Sequence, residues 1–498
     1  MNKAIVIGAG FAGLSAATKL AEAGYEVTIL EKNSMPGGRA RVFEEKGFTF
    51  DMGPSWYWMP DVFERYFAEF GKKVTDYYEL VRLNPSYKVI FSPTEAIDLP
   101  ANLEELKVLF ESIEKGSSKK LEDFLEESKY KYEVGIGEFV WKPSLSITEF
   151  FDYRLVSKAL SLDLFASFGK YIRKFFSNRR LLQLMEFPIL FLGATPRNTP
   201  ALYSLMNYAE IALGTWYPMG GMHEIVKAMV LLAEEKGVNI RLNEAVKHIV
   251  VQDSIANKVI TDIDEYEADI VIGGADYHHI ESRLLKQEHR NYSESYWENR
   301  TMAPSSLLFY VGVNRKVDKL IHHNLFFDED FDVHADEIYT HPQWPSKPLF
   351  YVSAPSKTDE SVAPQGAENL FILIPIAPDL ADEEEVREKY YQMVMERLEK
   401  YVGHGIRKHV IYKKSFAVSD FKNDYHSFRG NAYGLANTLM QTAFLKPALK
   451  NKKVKNLYYT GQLTVPGPGV PPSLISGLVV ANQVLKEFGN VKKQVTIA

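Results

Sequence analysis

The chain has no cysteine among its 498 residues. That absence excludes disulfides, thiolate metal sites, a cysteine nucleophile and any cofactor tethered through sulfur. It also lacks any run of about 18 or more apolar residues, so no segment reads as a membrane-spanning helix. Basic residues are not in excess: 58 Lys and Arg stand against 64 Asp and Glu, a formal net charge of −6. This argues against a nucleic-acid binder, which needs cationic surface to displace phosphate counterions. The first apolar stretch, AIVIGAG, has no basic leader and runs into glycines instead of a cleavage site, so a cytoplasmic setting is expected. No H-x-x-x-H, paired-cysteine or G-x-S-x-G arrangement is present. The adjacent pairs His278-His279 and His322-His323 would point in different directions on a regular element, and no metal site is expected.

What the chain does hold suits a large folded enzyme. Its length is enough for two or three domains. A hydrophobic share of 46% with 24% charged residues is ordinary for a globular protein. Aromatics reach 13%, with 30 Phe and 28 Tyr, which fits a large core or an apolar substrate cavity.

The most informative segment is MNKAIVIGAGFAGLSAATKLAEAGYEVTILEKN. Ala4 to Ile7 is an apolar run suited to a buried parallel strand. Gly8, Gly10 and Gly13 follow in G-x-G-x-x-G spacing, then a helical pattern through Leu14, Ala17 and Leu20 that Gly24 ends. Tyr25 to Leu30 predicts a second strand, closed by Glu31, where a ribose hydroxyl needs an acceptor. Gly8 permits the tight turn, Gly10 lets the backbone approach a pyrophosphate, and Gly13 lets helix and strand pack closely. The helix amino terminus offers unpaired N–H groups to the phosphates. This is a dinucleotide-binding βαβ unit.

The continuation separates FAD from NAD. Lys32 is followed by Met35-Pro36-Gly37-Gly38-Arg39, with Arg41 two residues on. The segment resembles the extended pattern of flavoproteins related to amine oxidases, in which the glycine pair and arginine lie near the second phosphate and the flavin. After it come Phe48 and Phe50 in alternation, the turn Asp51-Met52-Gly53-Pro54-Ser55, and Trp56-Tyr57-Trp58. Here the chain resembles the bacterial phytoene desaturase family of carotenoid enzymes. Further segments lie in family-like order: Gly214 to Met222, Leu242 to Val246, Ala268-Asp269 to Ala275-Asp276, Pro348 to Pro364, and TVPGPGVPPSLISG from Thr464 to Gly477.

The fold this implies is α/β: a Rossmann-type FAD-binding domain with an inserted α+β substrate domain and a helical, membrane-contacting part. The FAD domain is expected to be discontinuous, over residues 1–77, 214–299 and 441–498. The substrate domain takes 78–213 and 300–440, with a helical membrane-associated part around 154–192. Within the framework, a helix from His223 to Lys236 and strands at Val238–Leu242, Val246–Val251 and Ala268–Gly273 are expected to return to the sheet begun at residue 4. Leu349–Val352 and Leu370–Pro375, with Pro364-Gln365-Gly366 between them, predict antiparallel strands. In Arg154 to Met185, the residues Leu160, Leu164, Phe168, Tyr171 and Phe175 fall at helical spacing beside Lys170, Arg173, Lys174, Arg179 and Arg180. That pattern suits either an interfacial helix on anionic lipid or a core helix with solvated bases.

The resemblance implies FAD as cofactor, held by Gly8, Gly10, Phe11, Ala12, Gly13, Glu31, Lys32, Gly38, Arg39, Pro54, Ser55, Val246, Gly461, Val470 and Pro471. Val246 would set its backbone against the adenine. Val470 and Pro471 would lie against the isoalloxazine, with the last helix beginning at Ser473. Hydride transfer to flavin N5 needs a substrate carbon about 3–3.5 Å away and exclusion of water, but neither a metal nor a nucleophile. Glu149 is similar in placement to an acidic catalytic candidate of the family, or else caps a helix start near Ser146. Arg429 is a second candidate, lining a flavin or substrate entrance. The expected activity is FAD-dependent conversion of phytoene to lycopene by a cytoplasmic, peripherally membrane-associated enzyme that receives a polyene from the bilayer. Hydroxycarotenoid desaturases, diapophytoene desaturases, carotene isomerases and soluble amine oxidases are the alternatives. Trp56-Tyr57-Trp58-Met59 and Phe187 to Leu192 suit a hydrocarbon better than an amine.

Overall fold

A computed structural model describes residues 2–146, 149, 166–190, 193 and 195–489. The run AIVI forms the centre of a five-stranded, wholly parallel sheet. Its order is Leu457–Tyr459, Ile270–Gly273, Lys3–Ile7, Glu26–Leu30, Asn239–Arg241. Strand alternation divides the two faces. Ala4 and Val6 pack under Leu14 and Ala17 of the helix Phe11–Glu22 and Leu474 and Leu478 of the helix Val470–Phe488. Ile5, Ile7 and Val271 face the opposite layer with Ile249, Ala256 and Val259. Burial on both faces explains why these strands read as continuous apolar runs.

That opposite layer differs from the sequence expectation. The strand Val246–Gln252 does not return to the parallel sheet. It turns back through Asp253 and Ser254 onto Ile255–Thr261, which pairs with Glu265–Glu267 in a separate antiparallel sheet. Asp253 and Ser254 both have positive φ, 50° and 61°, as a two-residue hairpin turn requires. The helix His223–Glu235 and the short strand Asn239–Arg241 do lie where the pattern puts them.

A second, seven-stranded sheet runs Val410–Phe416, Ser305–Val313, Glu368–Ile376, Phe350–Ser353, His323–Phe326, Tyr87–Ser92, Glu95–Leu99. Its pairings are antiparallel except His323–Phe326 against Tyr87–Ser92. One face carries Phe309, Val352, Ile372 and Ile374 against Tyr390, Val394 and Leu398 of the helix Glu384–Val402. The other carries Leu308, Tyr351, Phe371 and Leu373 toward the parallel-sheet half of the molecule. The period-2 alternation of three strands therefore places one row of side chains over the site described next.

Helices Ser117–Gly135, Arg179–Leu190 and Leu205–Ile211 pack together beside this sheet. Much of the expected membrane-associated part, residues 154–165 and 191–192, lies outside the described residues. Of what is described, Phe168 and Tyr171 are buried in the core. Arg173 pairs with Glu186 at 2.6 Å, Arg179 with Asp330 at 3.3 Å, and Arg180 with Glu95. No helix among the described residues is long and apolar enough to cross a membrane.

Candidate functional site

Two helices, at the two ends of the sequence, start at one cavity of about 1090 Å³. The first follows Gly8, whose φ of +99° makes the turn out of the strand. At Gly13 a Cβ would stand 2.0 Å from the Gly8 carbonyl oxygen, so only glycine lets the helix lie this close to the strand. At Gly10 a Cβ would meet nothing within 4 Å, because the backbone there faces open space. The second helix begins at Val470, earlier than Ser473, because Pro471 and Pro472 fit a first turn in which no N–H is needed. It crosses the first helix at near backbone contact: a Cβ on Gly477 would lie 2.3 Å from the Ala12 carbonyl oxygen. Ser15 Oγ donates to Leu474 O at 2.8 Å across the crossing, and Gly461 N donates to Ser476 Oγ at 3.0 Å.

Neither helix has a side-chain cap or an acidic residue in its first turn. Their free N–H groups and positive dipole ends therefore face the cavity, a setting for anionic groups of a ligand. Glu31 lies nearby and is buried. It accepts from Ala9 N at 2.8 Å, Asn33 N at 2.9 Å and Asn33 Nδ2 at 2.8 Å. Arg39 also lines the cavity, donating to Ser427 Oγ at 3.1 Å, while its buried Nε has no hydrogen-bond partner among the described residues. Burial pulls its guanidinium below the ordinary arginine value, an effect that neighbouring Asp276 opposes. Burial likewise raises the Asp276 carboxyl, which accepts from His279 N at 3.1 Å. Lys32 is lowered by burial and donates to Asn423 O at 2.7 Å.

This donor set fits FAD. The glycine turn and two helix ends suit a pyrophosphate, the Glu31 carboxylate suits a ribose, and Arg39 offers an orphaned donor to a phosphate or flavin oxygen. Every expected cofactor residue except Gly13 lines the cavity, which gathers Phe11, Ala12, Gly38, Pro54, Ser55, Val246, Gly461, Val470 and Pro471 with those above. Gly13 sits behind the turn, in the packing role its position implies.

The two catalytic candidates are not brought to the cavity. Glu149 does not line it: its carboxylate accepts from the backbone N–H groups of Ser144 at 2.9 Å, Leu145 at 2.8 Å and Ser146 at 3.2 Å. It caps the backbone of Ser144 to Ser146, a local role close to the cap near Ser146 that the sequence had left open. Arg429 is likewise on the surface, with Nη2 donating to Glu298 O at 3.1 Å and Nε 3.4 Å from Asp379. Phe187 packs in the core against Trp56, Trp58 and Tyr87, away from the cavity surface.

Residues given no cofactor role in the sequence also line the cavity, among them His279, noted there only in the pair His278-His279. His279 and His426 stack at 3.9 Å near Lys32, and burial pushes His279 down to about 3. No local signal marks them, since they meet from segments far apart in sequence. Tyr351 was detectable, because strand alternation puts it opposite Phe350 and Val352 on the face shared with Phe371 and Leu373.

Beyond the nucleotide end the cavity becomes apolar. Val134, Ile136 and Phe139, at the end of the helix Ser117–Gly135, meet Leu202, Leu205 and Met206. Among the described residues, the carboxylates of the cavity are Glu31, Glu244, Asp276 and Asp424, all on the nucleotide side. Lys131 at the apolar end donates to Ser204 Oγ at 3.2 Å and sits 3.8 Å over the Tyr171 ring. Phe444 and Leu445 line the cavity while staying 41% and 36% exposed, so they mark its mouth.

Comparison with known proteins agrees with this geometry. The model of the flavin-containing amine oxidoreductases matches residues 11–485. The chain is 42% identical to a carotenoid 3,4-desaturase of Haloarcula japonica, over 97% of this chain and 98% of the relative. It is 30% identical to a zeta-carotene-forming phytoene desaturase of Myxococcus xanthus, over 97% and 94%. Among solved structures, an oxidoreductase from Methanosarcina mazei superposes with a TM-score of 0.63 at 17% identity, covering 97% of this chain and all of that one; this likeness concerns the fold.

Proposed function

The chain belongs to the flavin-containing amine oxidoreductases and, within them, to the carotenoid desaturases, and from that premise we propose that it 3,4-desaturates a linear carotenoid. It is an FAD-dependent oxidoreductase of carbon–carbon bonds; bound FAD supplies the hydride acceptor. The residues of the chain do the rest. The two helix amino termini and Arg39 would hold the pyrophosphate charge, Glu31 would hold a ribose, and the row Leu308, Tyr351, Phe371 and Leu373 would form a dry wall for a polyene.

The observation that carries the reading is the distribution of charge along the cavity. An ammonium substrate would find no carboxylate at the apolar end among the described residues, and would meet Lys131 there instead. A hydrocarbon needs none. The 42% identity to a carotenoid 3,4-desaturase, against 30% to the phytoene desaturase, supports the choice of bond. Conversion of phytoene to lycopene is the second reading, supported by that latter relative. FAD-loaded protein given a quinone acceptor tests both. A red shift with an already conjugated linear carotenoid, and none with phytoene, is expected. Coloured product from phytoene would favour the second reading, and no product from either would overturn both.

The substrate would arrive from a bilayer, with the protein attached at its surface. Support comes from Phe444 and Leu445 at the cavity mouth and from nearby Met440, 74% exposed, an apolar rim of the kind that sits in the headgroup region. Co-sedimentation with phosphatidylglycerol vesicles should fall severalfold in the double variant Met440→Glu/Phe444→Glu; unchanged sedimentation would refute this route.

A further inference from the structure

Desaturation removes two hydrogens, and the site so far accounts for one. The hydride has an acceptor in FAD; the proton of the neighbouring carbon does not. No cavity carboxylate stands at the apolar end among the described residues, and Glu149 and Arg429 are engaged elsewhere.

Tyr351 lines the cavity from the middle of the seven-stranded sheet. In the antiparallel register Leu325 lies opposite Tyr351 and His323 opposite Ser353. His323 is therefore the diagonal neighbour of Tyr351 on the same face. The Tyr351 hydroxyl lies 2.6 Å from His323 Nδ1. His323 is wholly buried, and its ring stacks on the cavity-lining Trp56 at 4.0 Å and 15°. Its Nε2 has no hydrogen-bond partner among the described residues. Ser55 and Ser353 also approach the Tyr351 hydroxyl. This is a phenol facing the substrate space with a basic nitrogen directly behind it.

We propose that Tyr351 is the catalytic proton acceptor of the desaturation and that His323 is its positioning residue, taking the tyrosine's own proton through Nδ1. The proposal rests on the desaturase reading. In the step, one C–H bond breaks and its hydrogen leaves with both electrons to FAD, which is reduced. The adjacent C–H bond then breaks, and its electron pair becomes the new C=C bond. The proton passes to Tyr351 Oη while the Oη proton passes to His323 Nδ1, so two electrons and two hydrogens leave the substrate.

The neutral dyad suits a carbocation-like intermediate better than a carboxylate would. A cation of that kind is so strongly acidic that a weak base suffices. An anionic oxygen at the same place could instead add to it and stop the reaction. Burial and the nearby His322 hold His323 well below its usual range, so it is uncharged before the step.

The test is Tyr351→Phe and His323→Gln, singly and together, in FAD-loaded protein. Flavin content and carotenoid affinity, read by quenching of tryptophan fluorescence, should match wild type. Turnover at saturating carotenoid should fall about 10²-fold or more, the usual share of acid–base catalysis, with KM unchanged. A solvent deuterium isotope effect present in wild type should vanish in Tyr351→Phe. His323→Gln keeps an acceptor for the hydroxyl but cannot take its proton, so it should lose as much as Tyr351→Phe, and the double variant no more. Near wild-type turnover in Tyr351→Phe, or losses that multiply in the double variant, would overturn the dyad alone. A wild type that desaturates no carotenoid would overturn the desaturase reading, and the dyad with it.

Discussion

Replacing Glu31 by alanine separates what its carboxylate does for the fold from what it does for the cofactor. Without ligand, the carboxylate already accepts three hydrogen bonds, from Ala9 N, Asn33 N and Asn33 Nδ2. Asn33 is only part-buried, so water can replace much of its share. Ala9 is fully buried, and its N–H would be left without a partner, at about 1–3 kcal/mol. The ligand-free variant should therefore lose about 1–3 kcal/mol of stability, a melting shift of a few degrees. Two ribose hydroxyls donating to a charged acceptor contribute about 1.5–3 kcal/mol each, so FAD should bind about 10² to 10⁴-fold more weakly. Glu31→Gln keeps one oxygen for Ala9 and should keep most of the stability while still losing affinity. Fluorescence titration with FAD and thermal unfolding of the apoprotein read the two effects. An FAD affinity within about threefold of wild type in Glu31→Ala would refute the ribose assignment.

Gly10→Val should abolish FAD retention while leaving apoprotein melting nearly unchanged, since the added atoms enter open cavity space; a large melting loss would contradict this. Gly477→Ala should instead lower stability by about 3 kcal/mol or more, because the new methyl meets the backbone of Ala12 and Ala16, and denaturant unfolding measures it. Glu210 is buried, accepts from the Tyr87 hydroxyl, and is raised by burial to about 8. A raised folded-state pKa means its contribution is full below the unfolded value and fades as pH rises through about 8. Glu210→Gln should therefore flatten the fall in stability between about pH 5 and 8; urea midpoints that still fall as in wild type would refute it.

The parallel βαβ unit was legible because each of its residues obeys a local rule: an apolar strand, glycines where a Cβ would clash or block, and an acid at the end of the next strand. The start of the last helix was legible for a similar reason, since Gly469 permits a φ of 114° and the prolines after it fix the backbone without help from elsewhere. Val246–Val251 was read as a strand but put in the wrong sheet. Its turn, Asp253-Ser254, lacks the glycine that usually announces such a hairpin. Glu149 shows the opposite failure. A carboxylate can cap a loop or move a proton with the same sequence neighbours, and only its three N–H partners distinguish the two. Tyr351 and His323 are adjacent through strand register, 28 positions apart in the chain, and register is not written in either segment alone.

The close crossing of the first and last helices also orders events during synthesis. The turn at Gly8 leaves the ribosome about 450 residues ahead of the strand Leu457–Tyr459 and the helix that starts at Val470. At about 5–20 residues per second, roughly half a minute or more separates the two halves of one binding site. A nascent chain therefore carries an open phosphate loop that cannot keep its ligand until the helix Val470–Phe488 has emerged and packed. The supply of free flavin nucleotide around the finished chain, more than the pace of translation, then sets how much of the protein becomes active.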